Sequence, residues 1–112
     1  GCLGSAPVAM GAEHPACEDE ETTAGMLDCA NRRYSDADEE LNRVYKQLMS
    51  KLAVERQGRL RDSQRAWIEF RDKNAAFVAS DVEGGSLYPV IEASELAEMT
   101  RRRVRDLQAH LP

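Results

Sequence analysis

The sequence predicts an all-α protein: a three-helix antiparallel bundle with a long first helix and a disulfide-stapled N-terminal segment. Three observations predict it. Apolar residues recur at spacings of three and four over long stretches, the period of one helix face. Gly and Pro are sparse and gather near the N-terminus and around residues 84–89, which suits a few long helices better than many short strands. Three cysteines, Cys2, Cys17 and Cys29, all fall within the first 29 residues. The 112 residues suffice for one domain with one core. With two Phe, three Tyr and one Trp, that core must be mainly Leu, Val, Ala, Ile and Met.

Residues 1–16 read as a flexible leader and residues 17–112 as one helical domain. Thr22 or Thr23 suits the first N-cap, and Glu18 to Glu21 sit well near the positive end of a helix. From about 23 to 53 the apolar positions Met26, Ala30, Tyr34, Ala37, Leu41, Val44, Leu48 and Leu52 trace one face. Asp28/Arg32 and Glu39/Arg43 stand four apart with the acid first, the favourable order. A break at Ser35-Asp36 is the alternative to one continuous helix.

A polar connection, Val54 to Gly58, leads to a second helix over 57–80. Its face is Leu60, Gln64, Trp67, Phe70 or Arg71, Asn74, Phe77 and Val78. Trp67, Ile68 and Phe70 form the densest apolar cluster and are expected to anchor the core. Gln64 and Asn74 are placed to bond a neighbouring helix, as buried amides must. Arg71 is expected to reach a carboxylate of the first helix and lock the two together; a surface binding patch is the alternative. Tyr34, Leu41, Trp67, Phe70 and Arg71 thus form the expected scaffold. Gly84-Gly85 stops the second helix. Ser86 is the expected cap of a third, with Pro89 in its first turn and its end near His110.

Charge and motifs narrow the function. The net charge is −5, and residues 1–50 hold ten acids against four bases. Such a half disfavours nucleic acid and anionic membrane and favours a basic partner, if it is more than a solvated surface. No Gly-rich phosphate loop, nucleophile elbow or paired-His metal motif occurs, and both histidines lie near the ends. The expectation is therefore no catalysis, no metal and no cofactor. Arg101-Arg102-Arg103 with Arg105 resembles a phosphate patch. Glu98 and Asp106 at helical spacing from Arg102, and a helix C-terminal half that favours cations, make ion pairing the better reading.

A Cys17–Cys29 bridge would tie the acidic segment to the first helix; two reduced thiols are the alternative. No Cys-x-x-Cys is present, which disfavours zinc. Cys2 follows Gly1, as a lipidated cysteine does in bacterial lipoproteins, though Gly1 is equally consistent with a cloning remnant. Any contact with a membrane is expected only through that N-terminal lipid. The segment Asp81, Glu83, Gly84, Gly85, Ser86 and Tyr88 combines acids, glycines, a hydroxyl and an aromatic. It is the candidate partner-binding loop, with a plain helix–helix turn as the alternative.

These residues resemble the LprI-type lysozyme inhibitor family. The matching elements are Cys17, Thr22 or Thr23, Met26, Cys29-Ala30, Tyr34, Ala37-Asp38, Leu41-Asn42 and Tyr45. They continue with Gln64-Arg65-Ala66-Trp67-Ile68-Glu69-Phe70-Arg71-Asp72, Gly84-Gly85-Ser86 and Leu96-Ala97-Glu98-Met99-Thr100-Arg101. The resemblance implies export to the periplasm or cell envelope, often as a lipoprotein. For some members it also implies inhibition of lysozyme, whose strongly basic c-type form suits an acidic partner. The alternative is a non-catalytic envelope module binding another protein. Family members commonly carry a second cysteine pair, where Ala75 and Glu95 stand here; its loss predicts that the third helix packs through apolar contacts alone.

Overall fold

The computed structural model describes residue 17 and residues 20–112. Helix α1 spans Thr23–Met49, α2 Val54–Ala79 and α3 Tyr88–Gln108, with a 3₁₀ turn at Ser80–Val82 between the last two. No strand occurs among the described residues. The expectations for Cys2, the leader and Glu18 lie outside them.

Local chemistry sets each helix end. Thr22 is the first cap: its Oγ1 accepts the Gly25 amide at 2.9 Å, filling one of the four donors a helix start leaves open. A Cβ at Gly25 would stand 3.0 Å from that same oxygen, so a residue without one fits there. The helix passes Ser35-Asp36 unbroken and ends at Met49. The connection is shorter than the sequence predicts. Lys51 and Leu52 donate back to Leu48 and Met49, and the Gln57 amide reaches Ala53, so Val54 to Gly58 form the first turns of α2. At α3 the expected Ser86 cap is displaced. Leu87 is the N-cap and makes no side-chain cap bond; Pro89, in the first turn, lacks the amide that would need one.

Successive helices run antiparallel, so α1 and α3 run parallel, and they pack most extensively. One cluster, at the start of both helices, holds Cys17, Cys29, Ala30 and Ala93. The larger, toward their ends, holds Leu41, Val44, Leu48, Val104 and Leu107, with Tyr45, Leu52, Leu60, Trp67 and Leu111 against it. Ala30, Ala37, Ala93 and Ala97 are buried along the seam, small residues that let the two helices approach. The Cys17–Cys29 disulfide has formed, with its Cα atoms 5.6 Å apart.

Helix α2 departs from the expected packing. It lies along α3 and scarcely meets α1 backbone to backbone. Its buried residues are Gln64, Arg71, Ala75 and Ala79. Phe70 is 59% exposed, Phe77 74%, and Ile68 and Val78 are also exposed. The expected Trp67-Ile68-Phe70 anchor therefore reduces to Trp67, which is half-buried. Consecutive residues on a helix point about 100° apart, so Trp67, Ile68 and Phe70 cannot share one narrow seam.

The seam itself is polar, which corrects the expectation of apolar contacts alone. Arg103 Nε donates to Gln64 Oε1 at 2.9 Å. Asn74 Nδ2 donates to Glu95 Oε2 at 3.4 Å, beside the fully buried Ala75. Ala75 and Glu95 thus both lie where α2 meets α3, and it is Asn74, the neighbour of Ala75, that bonds Glu95. Among the acid-first pairs, Asp28–Arg32 forms at 2.9 Å, whereas Arg43 pairs with Glu40 in place of Glu39.

Candidate functional site

The segment that joins α2 to α3 is flanked by Ala79 and Val90, both buried. Ser80 Oγ donates to the Phe77 carbonyl at 2.6 Å and the Glu83 amide to Ser80 O at 3.2 Å, closing the last turn. Gly84 then takes φ 85°, the left-handed region, and the chain reverses. The Gly85 amide reaches Val82 O at 3.0 Å and the Tyr88 amide Gly85 O at 3.2 Å.

Asp81, Glu83, Gly84, Gly85 and Ser86 are all exposed, Leu87 is 40% exposed, and Tyr88 is half-buried. Val82, Glu83, Gly85, Ser86 and Leu87 line a shallow open depression. The turn feeds the start of α3, where Ala93 packs against Cys17, Cys29 and Ala30. The disulfide-stapled segment and the turn therefore occupy the same end of the molecule, with exposed Glu20 and Glu21 on the stapled side.

Arg71 joins all three helices. Its side chain is 8% exposed and its guanidinium lies over the rings of Trp67 (5.1 Å) and Tyr34 (5.4 Å). It pairs with Asp72 at 2.9 Å, donates to Thr100 Oγ1 at 3.4 Å, and stands 4.0 Å from Asp38 on α1. The locking contact expected from the sequence is thus present, and Arg71 is closed off from any partner. Leu41 is buried below this level, and Tyr34 is half-buried.

Burial raises the Tyr34 phenol above its ordinary value; the Arg71 charge opposes this, and Asp38 and Asp72 add to it. The consequence has a definite sign. As pH climbs past about 10 the unfolded phenol ionises first, so stability present below that value is lost through the folded one. Urea midpoints for the parent and Tyr34→Phe, compared at about pH 9 and 11, should show a shallower alkaline fall in the variant. Equal slopes would show that Tyr34 does not couple ionisation to folding.

The four arginines of α3 do not all face one way, although Arg102, Arg103 and Arg105 border a single depression with Phe70 and Asp106. Arg102 turns to Glu95 (3.7 Å) and Glu98 (3.9 Å), while Arg103 turns to Gln64, Ser63 and the Trp67 ring. Arg101 and Arg105 line a groove toward α1 with Asp36 and Glu40. Among the described residues no group of three or more His, Cys, Asp or Glu could hold a metal ion, and no helix is long and apolar enough to cross a membrane.

Sequence reasoning missed the outward placement of Phe70 and Phe77. The signal that could have found it is the row Gln64, Arg71, Ala75 and Ala79, spaced seven, four and four, which marks the inward face of α2 with polar and small residues.

Comparison with known proteins then bears on function. Residues 15–107 match the sequence model of a family described as lysozyme inhibitor LprI. An uncharacterized protein of Rhizobium meliloti (strain 1021) is 28% identical, the alignment covering 93% of this chain and 84% of that protein. No solved structure matches the chain.

Proposed function

The chain belongs to the LprI lysozyme inhibitor family, and from that premise we propose that it is an exported, non-catalytic protein that binds c-type lysozyme and occludes its cleft. The contact is assigned to the turn Asp81, Glu83, Gly84, Gly85, Ser86 and Tyr88. The observation that carries this reading is the geometry of that turn: its acids and Leu87 are exposed, while its flanks are pinned by Ala79 and Val90. A turn closed by its own backbone hydrogen bonds between buried flanks loses less conformational freedom on binding than an open loop, so more of its contact energy becomes affinity. Asp81 and Glu83, with the acids of the stapled end, suit a strongly basic enzyme and speed the encounter. Family membership supports inhibition more directly than the rival reading of an envelope module with another protein partner.

The test is lysozyme turbidity clearing of bacterial walls, with the parent protein and with Asp81→Lys/Glu83→Lys. The parent should inhibit, and added salt should weaken the inhibition as the charges are screened. The charge-reversed variant should need about tenfold more protein for the same effect, since misplaced charges across an interface are costly. No inhibition by the oxidised parent at large molar excess would overturn the reading. Inhibition undiminished in the variant would remove the turn from the contact.

A further inference from the structure

The outward face of α2 carries one continuous stripe: Arg59, Ser63, Ala66, Phe70, Lys73, Phe77 and, just past the helix, Asp81. The spacings are four, three, four, three, four and four, and every one of the seven is exposed. The phenylalanines, at 59% and 74% exposure, are among the most exposed large apolar residues described. Meanwhile α2 turns Gln64, Arg71 and alanines toward α3. Large apolar side chains outside and polar ones inside reverse the usual order, and such a stripe marks an interaction surface.

The stripe reads as its own complement. Laid antiparallel against a second copy about a two-fold axis at Phe70, it places Phe70 against Phe70. Phe77 then falls on Ala66 of the other copy, a small residue that leaves room for a ring, beside Ser63, whose hydroxyl accepts from Arg103 of its own copy at 3.2 Å. Arg59, which lies 3.6 Å from Glu55 of its own helix, comes opposite Asp81 of the other copy, twice by symmetry, while Lys73 stays paired with its own Glu69 at 3.3 Å. One edge of this face borders α3, where Phe70 shares an open depression with Met99, Arg102 and Asp106, and α1 scarcely meets α2.

The sizes are also adequate. Four rings of roughly 200 Å² each, exposed as observed, supply about 500 Å² of the roughly 1,200 Å² that a specific contact needs. The 26-residue helix, about 39 Å long, provides the remainder through Ala66, Ser63 and the arginine and lysine stems.

We propose that two copies of this protein pair in solution through the outer face of α2, in an antiparallel isologous contact centred on Phe70. This surface is separate from the lysozyme-contacting turn except at Asp81, so its test does not depend on inhibition.

Sedimentation equilibrium of the oxidised chain in a Cys2→Ser background, which removes crosslinking through that thiol, should give a dimer at about 100 µM. Phe70→Asp should weaken self-association by at least tenfold, the loss expected for a central anchor. Its circular dichroism and thermal unfolding at low concentration should match the parent monomer. Arg59→Asp should weaken the dimer, and Arg59→Asp/Asp81→Arg should restore it, because the exchange keeps opposite charges facing. A monomer at every concentration overturns the proposal, as does a dimer undiminished in Phe70→Asp. A double exchange that fails to restore pairing overturns the register.

Discussion

Arg71→Met is expected to lower stability by about 3 kcal/mol, read as a fall in the urea midpoint without a change in slope. The size follows from what the side chain holds together. One guanidinium fills the space between Tyr34 and Trp67, donates to Thr100 and pairs with Asp72 and Asp38, so its removal loosens α2 from both other helices. The two carboxylates are 57% and 46% exposed, and solvent screens them, so packing and the directed hydrogen bonds carry most of the loss.

Two controls separate the contributions. Asp38→Asn should cost less than about 1 kcal/mol. Arg71→Lys should fall between, since an ammonium keeps the charge without the planar fork or its stacking on rings. An Arg71→Met midpoint equal to the parent's would show that the α2–α3 seam holds without the junction.

The second large effect is expected on removing the disulfide. Cys17 and Cys29 lie 12 residues apart, and both are almost fully buried. Closing a loop of that length is worth about 3 kcal/mol in the chain-entropy account. Cys17→Ala/Cys29→Ala leaves no polar atom behind and isolates that contribution. Unfolding should shift by about that amount, and hydrogen exchange should quicken first over residues 20–30. Protection around Leu41, Val44 and Leu107 should persist, because that cluster belongs to the other end of α1 and α3. On the proposed function, inhibition of lysozyme should also weaken, since the cluster beside the start of α3 would lose the staple that orders it. An unchanged midpoint would place the bridge outside the cooperative core.

How much of this was legible in the sequence depends on which helix is considered. In α1, side chains at spacings of three and four really do face one partner, and Ala30, Ala37, Leu41, Val44 and Leu48 are buried as the pattern predicts. The reversal at Gly84, the Thr22 cap and the one-helix reading across Ser35-Asp36 follow from local chemistry as well, although α2 already ends at Ala79, before the glycines expected to stop it. In α2 the same reasoning misplaced Phe70, Phe77 and Ile68. Apolar residues run around that helix, and periodicity alone cannot say which row faces inward. Ser86 failed as a cap for a related reason: the turn geometry after Gly84 places Leu87 at the helix start, whatever the capping preference of its neighbour.

The candidate turn was legible as a turn and as acidic; its position beside the stapled N-terminal end was not, because that depends on α1 and α3 running parallel. The sequence by itself determined the three helices, the family and the residues able to bridge, since all of these depend on near neighbours along the chain. Only the tertiary structure decided that α2 meets α3 through Gln64, Arg71 and Asn74 while its phenylalanines point outward. That choice rests on contacts between residues as much as 40 positions apart, Ser63 with Arg103 among them, and no local pattern encodes which of two faces such contacts will select.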